Sequence, residues 1–135
     1  MTKPRWPQEP KRVLLEASKE RLQDAKALFK VKRYGGTVYL AGYVIECLLK
    51  AAICEYLRVK QLPNQYTVHN LESLLVASGL KDALRASPML AKYFDVILEW
   101  TVTMRYRGAI VRAEDARKFM EAVTEVRLWL LSKRK

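Results

Sequence analysis

The chain has 135 residues, half of them apolar, which is enough for one well-packed domain and short for two. Its 25 basic and 14 acidic residues give a formal net charge of +11. A polyanion is therefore the first partner to consider, and an acidic protein or a merely solvated basic surface are the alternatives. We expect an irregular lead at residues 1–10 and a single domain over residues 11–135.

Three classes of protein are disfavoured by the same composition. Cys47 and Cys54 are seven residues apart on one predicted helix, about 10 Å by helical rise, so they should not form a disulfide with each other. A lone His69 without a Cys/His cluster predicts no zinc site, and no metal or cofactor is expected. The basic N-terminus lacks an apolar signal segment, and the uncharged run 34–45 is shorter than a membrane span. These features favour a soluble, cytoplasmic protein.

The first predicted element is an amphipathic helix over residues 11–33, where apolar side chains recur near a helical period. Its acidic residues come early and its basic residues late, which suits the helix dipole. Gly35 and Gly36 are expected to end it. A second helix, at about 37–57, is apolar nearly all round and should be the central element of the core.

The second half of the chain predicts one short and two long helices. Asn70 is the expected N-cap of the short helix, and Gly79 its end. Ser87 followed by Pro88 starts a long helix that should break at Gly108. The last helix covers roughly 113–132. The prediction is an all-α fold, an antiparallel up-and-down bundle of four long helices plus one short helix.

Glu46 lies on an apolar face of the second helix, where an ionised carboxylate without a partner would be costly. Lys50, four residues later, is the nearest partner, and Arg105 at the end of the apolar stripe of the next long helix is the second. Glu46 and Lys50 then form a buried polar pair that fixes helix register. Alternatively, the pair lines a cleft where Arg105 meets a phosphate.

Two further groups are candidate site residues. His69 could be an acid or base, or it could only hydrogen-bond near a helix end. Arg105, Tyr106, Arg107 and Arg112 combine guanidinium groups with an aromatic ring around a turn, which suits phosphates and exposed bases. Arg107 and Arg112 could equally be solvated. The other aromatic residues fall at helical spacings typical of core or interface positions.

The order of these features resembles the HEPN family, named for its occurrence in higher eukaryotes and prokaryotes and its proposed nucleotide binding. The resemblance covers about 11–132. It is carried by RLQDAKALF, by YGGTVYLAGYVIECLLKA with its Glu-x-x-x-Lys, by TVHNLESLL, by MRY after the long helix, and by a last helix that opens with acidic and alanine residues.

The resemblance implies an antiparallel helical bundle, commonly a homodimer, often encoded beside a minimal nucleotidyltransferase in prokaryotic toxin–antitoxin or defence systems. Many members are metal-independent ribonucleases with an Arg-x4-6-His motif. Arg105 would be its arginine, but the histidine positions hold Ile110, Val111 and Arg112. Arginine cannot titrate near neutral pH, so the motif is incomplete.

Three functions follow as hypotheses. The first is a non-catalytic module that binds nucleotide or RNA phosphates around Arg105, Tyr106 and Arg107, in a cleft shared across a dimer, beside a nucleotidyltransferase partner. The second is a ribonuclease that uses Arg105 and recruits His69. The third is a pure interaction module for an acidic surface on such a partner.

Overall fold

A computed structural model describes residues 9–106 and 110–134, apart from the side chains of Val102 and of 104–106. Within these residues it contains six α-helices and no strand, so the all-α prediction is confirmed. The helices are α1 (Lys11–Lys30), α2 (Tyr34–Leu57), α3 (Leu71–Ala77), α4 (Lys81–Arg85), α5 (Pro88–Tyr106) and α6 (Ala113–Ser132). They form a helical bundle around one hydrophobic cluster.

The turn between α1 and α2 corrects the expected role of the two glycines. α1 ends at Lys30, and the reversal is made by Lys32, which has a positive φ of 64°. Gly35 and Gly36 instead lie in the first turn of α2. A Cβ on Gly36 would lie 2.9 Å from Cδ1 of Leu28. This glycine therefore permits close packing of the two helices rather than stopping the first one.

α2 is the central helix, as its composition predicts. It packs against α1, α3, α5 and α6, and half of its residues are buried. By length and hydropathy α2 could also cross a membrane, but 67% of its most apolar window is buried inside the bundle. The core helix of a soluble domain meets the same criterion, so the apolar character of α2 is explained by its packing.

The contacts of α2 fix the directions of its neighbours. Ser18 of α1 donates a hydrogen bond to the carbonyl oxygen of Val44, and Leu28 lies against Gly36, so α1 and α2 are antiparallel. Phe119 of α6 lies near Gly42, and Arg134 just after α6 bonds Glu55. α2 and α6 therefore point the same way, and both end beside the start of α1.

The α3–α4 region contains two short helices where the sequence predicted one. The amide oxygen of Asn70 accepts a bond from the Ser73 backbone N–H at 2.9 Å, which confirms the predicted N-cap of α3. α4 has only five residues, too few for a periodic signal. Tertiary contacts hold it instead: Leu84 is fully buried, and the Arg85 guanidinium bonds Asp95 of α5 and Glu72 of α3.

The end of the predicted N-terminal lead pairs with the loop after α2. Lys11 donates its backbone N–H to the carbonyl oxygen of Lys60, and Leu62 donates to that of Glu9. These two bonds flank an isolated antiparallel bridge between Pro10 and Gln61. They hold Glu9 beside the second half of α2.

Candidate functional site

A cleft of about 400 Å³ opens between α2, the start of α3 and the second half of α5. We call it the α2–α5 cleft. Its lining is Val38, Tyr39, Gly42, Tyr43, Glu46, His69, Leu71 and Thr101. Five of these residues come from one face of α2, because steps of three and four along a helix return to the same side. That face is the one on which the sequence places Glu46.

Glu46 is the hydrogen-bonding centre of this site. It is 6% exposed, and its Oε2 accepts a bond from Nζ of Lys50 at 3.2 Å. Nδ1 of His69 lies 3.1 Å from both of its carboxylate oxygens. Lys50 is 4% exposed. The carboxylate is therefore desolvated but has two nitrogen partners, which makes its burial tolerable.

A second carboxylate approaches Lys50 from outside the helix. Oε2 of Glu9 lies 3.8 Å from Nζ of Lys50, too far for a hydrogen bond but close enough for an ion pair. Within the described residues this buried oxygen has no hydrogen-bond partner. Lys50 thus lies between two carboxylates, and its ammonium group offsets the charge of both. The pairing with Glu9 has no local sequence signal.

Tyr39, Tyr43 and His69 form an aromatic wall at the cleft. The rings of Tyr39 and Tyr43 meet edge to face with centroids 5.3 Å apart, and those of Tyr43 and His69 are 6.3 Å apart. The two tyrosine hydroxyls are 3.3 Å apart. Tyr39 is 57% exposed, so it is not a core residue. An exposed ring beside a concave polar site can stack on a planar ligand.

Of the predicted basic cluster, Arg105 and Tyr106 are the last residues of α5, and Arg112 directly precedes α6. Thr101, whose hydroxyl donates to the carbonyl oxygen of Ile97, lines the cleft, and Arg105 follows it by one helical turn. The side chains of Arg105 and Tyr106, and all of Arg107, lie outside the described residues. Arg112 is exposed, and its backbone N–H donates to Oδ2 of Asp115 at 3.1 Å. The structure therefore gives Arg112 a role at the start of α6.

The structure brings His69, Glu46 and Lys50 together, a grouping that sequence reasoning only half anticipated. Lys50 was the expected partner of Glu46, but His69 was not considered for it, because 23 residues separate the two. Tyr39 and Gly42 were also missed as cleft residues. Gly42 itself was the available signal for a cleft, since a glycine inside a helix lowers its stability and usually has a packing or functional role.

Cys47, next to Glu46, is partly buried. Burial raises the pKa of its thiol to about 11, and the negative charge of Glu46 adds to that rise. A thiol in this state is a poor nucleophile and a poor metal ligand. Over the described parts of the chain, no cluster of three or more His, Cys, Asp or Glu side chains could hold a metal ion. Among the residues that line the cleft, the titratable side chains are those of Tyr39, Tyr43, Glu46 and His69.

Comparison with known proteins gives one match. The family model described as HEPN domain matches residues 12–134. No curated protein and no solved structure matches the chain.

Proposed function

The chain belongs to the HEPN domain family, and from that premise we propose that it is a non-catalytic module that binds nucleotide or RNA phosphates at the α2–α5 cleft. The observation that carries the proposal is the position of this cleft. One wall presents an exposed aromatic ring, Tyr39, and the other is the part of α5 that leads through Thr101 to Arg105. A base and its phosphate need these two kinds of group side by side.

The electrostatic part of the proposal rests on the charge of the chain. A net charge of +11 attracts a polyanion. Arg105, Arg107 and Arg112 follow the cleft residue Thr101 within eleven positions of the sequence. Guanidinium groups bind phosphate oxygens in pairs of hydrogen bonds. In this arrangement the arginines neutralise the phosphates, Tyr39 stacks on an unpaired base, and Glu46 and Lys50 keep α2 in register.

The wider setting is also part of the proposal. We take the four long helices as one antiparallel up-and-down bundle that forms a homodimer in the cytoplasm of a prokaryote. Its partner would be a minimal nucleotidyltransferase in a toxin–antitoxin or defence-type system. The antiparallel α1–α2 pair supports the bundle, and the family membership is the reason for proposing the dimer and the partner. Co-expression with a nucleotidyltransferase encoded beside it should give a complex on size exclusion, and two separate peaks would remove the partner.

Fluorescence anisotropy tests the binding. Labelled single-stranded RNA and labelled ATP are titrated with the protein at rising salt. At least one should bind saturably, with an affinity that falls steeply with salt, because bound phosphates release counterions. Arg105→Ala should weaken binding by at least roughly tenfold. Lys19→Ala, which removes the same charge from an exposed site on α1, should change it little. Absence of saturation at low salt for both ligands would overturn the proposal.

A second candidate function is a ribonuclease that uses His69 and Arg105. The bond from His69 to Glu46 favours it, since a carboxylate on Nδ1 fixes the tautomer that leaves Nε2 as the proton acceptor. Nε2 would take the proton of a ribose 2′-hydroxyl as its oxygen attacks the phosphate held by Arg105. The phosphorus–oxygen bond to the next nucleotide would then break, and water would protonate the leaving oxygen.

Incubation of the protein with RNA in EDTA decides between the two candidates. The ribonuclease hypothesis predicts cleavage that is lost in His69→Ala and retained in the control variant Lys19→Ala. The binding module predicts intact RNA with both proteins. Cleavage that persists unchanged in His69→Ala would remove the ribonuclease hypothesis.

A further inference from the structure

A second, larger cleft of about 710 Å³ lies where α2 and α6 end and α1 begins. We call it the terminal cleft. Its apolar lining is Leu48, Ala51, Ala52, Cys54, Val59, Leu80 and Leu130, of which Ala52, Val59 and Leu80 are partly exposed and the others are buried. Its basic lining is Lys11, Arg58, Lys60, Lys133 and Arg134. The two clefts use successive parts of α2, since the α2–α5 cleft takes residues up to Glu46 and the terminal cleft begins at Leu48.

The charge of the terminal cleft is strongly unbalanced. Against five cations its lining holds one acidic residue, Glu55. Oε1 of Glu55 accepts a bond from Nε of Arg134 at 3.1 Å, and Nζ of Lys11 is 4.0 Å away. Arg58 and Lys60 have no acidic partner in the described part of the chain. Part of this positive charge is therefore available to an outside anion.

Helix electrostatics explains some of these cations but not the cleft. Basic groups near the ends of α2 and α6 offset the negative ends of the helix dipoles, and an exposed lysine needs no other reason. Compensation of the helix dipoles does not explain why these cations surround a cleft with an apolar lining. An apolar centre with a charged rim is instead the anatomy of a protein–protein contact.

The floor also argues against a nucleotide as the occupant. It is aliphatic, and the described lining contains one aromatic residue, Tyr56. The ring of Tyr56 packs against Gly79, where an added Cβ would lie 2.6 Å from its Cε2. Backbone thus covers one face of the ring, and the side chain as a whole is 65% exposed. Leucine, isoleucine or valine side chains would fill an aliphatic floor better than a base would.

We propose that the terminal cleft binds an acidic amphipathic helix of a partner protein. Its apolar face packs on the partly exposed side chains of Ala52, Val59 and Leu80. Its carboxylates meet Arg58 and Lys60 at the rim. This inference is independent of phosphate binding at the α2–α5 cleft. Within the protein, Glu55 takes the place that a partner carboxylate would take, because it forms ion pairs with Arg134 and Lys11.

Glu55 should compete with an acidic ligand for the cations of the terminal cleft. A helix carboxylate that reaches Arg134 or Lys11 must compete with Glu55 for it. Removing the carboxylate in Glu55→Gln should therefore tighten binding of an acidic ligand, roughly threefold or more, while the shape of the cleft is kept. Reversing charge at the rim in Arg58→Glu/Lys60→Glu should weaken binding at least tenfold.

The probe is a fluorescein-labelled synthetic peptide of about 18 residues with leucines on one helical face and glutamates on the others. Two controls are a shuffled peptide of the same composition and a peptide without leucines. Anisotropy should show saturable binding of the amphipathic peptide and at least tenfold weaker binding of both controls. Circular dichroism and the melting temperature check that each protein variant is folded.

Four results would overturn the inference. The first is no saturable binding of the amphipathic peptide by the wild-type protein. The second is equal binding of the leucine-free peptide, which would show charge attraction alone. The third is equal peptide affinity in Arg58→Glu/Lys60→Glu. The fourth is a loss of RNA binding in that variant that parallels its loss of peptide binding, which would make the terminal cleft a nucleic-acid surface. An Arg105→Ala protein that loses RNA but keeps the peptide separates this inference from the proposed function.

Discussion

Nδ1 of His69 lies 3.1 Å from both carboxylate oxygens of Glu46, a residue that is almost fully buried in the central helix. This contact joins the loop before α3 to the middle of α2. It also turns the i,i+4 pair of Glu46 and Lys50 into a three-residue network, of which Glu46 and His69 line the α2–α5 cleft. A substitution in this network should therefore change both the stability of the fold and the chemistry of the cleft.

Breaking the buried pair should be more damaging than replacing it. In Glu46→Ala the Lys50 ammonium stays buried with only Glu9 at 3.8 Å, so we expect a loss of about 3 kcal/mol in the free energy of unfolding. Glu46→Leu/Lys50→Met removes both charges and keeps an apolar volume, and should recover most of that loss. Urea unfolding measures both, with the exposed Glu99→Ala as control. A double variant less stable than Glu46→Ala would contradict this account.

Gly79 should tolerate no side chain. Its φ is +76°, and a Cβ there would lie 2.6 Å from the ring of Tyr56. Gly79→Ala should cost about 2 kcal/mol from backbone strain and overlap together. In the Tyr56→Ala background only the overlap is relieved, so part of the cost should remain. Thermal melts of the four proteins give the comparison, and full recovery in that background would show that strain is absent.

The thiol of Cys47 should be slow to react. With its pKa raised to about 11, its thiolate fraction at pH 8 is about a hundredfold below that of an ordinary thiol of pKa 9.0. Iodoacetamide labelling of Cys54→Ser, followed by mass spectrometry, isolates Cys47, and the same protein in urea supplies the control. Labelling as fast in the folded as in the unfolded protein would contradict the burial of this group.

The raised pKa of Cys47 also predicts that the protein loses stability at high pH. Between pH 9 and 11 the unfolded chain releases the Cys47 proton while the folded chain keeps it, so deprotonation favours unfolding. Stability should therefore fall as pH rises through this window, and less so in Cys47→Ala. Urea midpoints at pH 8 and pH 10 measure the difference. An identical fall in both proteins would assign it to other groups.

Gly42 should lower the stability of the protein, and we expect that its role is to leave space for the cleft. It lies inside α2, and a Cβ there would meet Phe119 and Thr101 at 4.0 Å, an ordinary contact distance. Gly42→Ala should therefore raise the free energy of unfolding by up to about 1 kcal/mol, through the better helix propensity of alanine. Gly36→Ala, which would press on Leu28 at 2.9 Å, is the matched control and should not stabilise. A destabilised Gly42→Ala would show hidden crowding.

The local features of the fold could be read from the sequence because local rules govern them. The Asn70 cap, the start of α5 at Pro88 and the apolar α2 all follow from periodicity and capping. The role of Gly35 and Gly36 was misjudged because the close packing of Gly36 on α1 is a tertiary effect. α4 was missed because tertiary contacts, not propensity, hold five residues in a helix.

The candidate site was less predictable for the same reason. The spacing of Glu46 and Lys50 is a helical property, whereas the approach of His69 and Glu9 depends on how distant segments pack. Helical spacing also could not show that Tyr39 projects to solvent while Leu49 and Ile53, on the same face of α2, are buried. The terminal cleft joins residues from both ends of the chain and has no local signature.

The most direct test of the central claim fills the α2–α5 cleft without changing the charge. Anisotropy of labelled single-stranded RNA is measured with the wild-type protein and with Gly42→Leu, after melting temperatures show that both are folded. Our account predicts saturable, salt-dependent binding by the wild type and at least roughly tenfold weaker binding by Gly42→Leu. Equal affinity of the two proteins would contradict it, because the RNA would then be bound by the basic surface elsewhere.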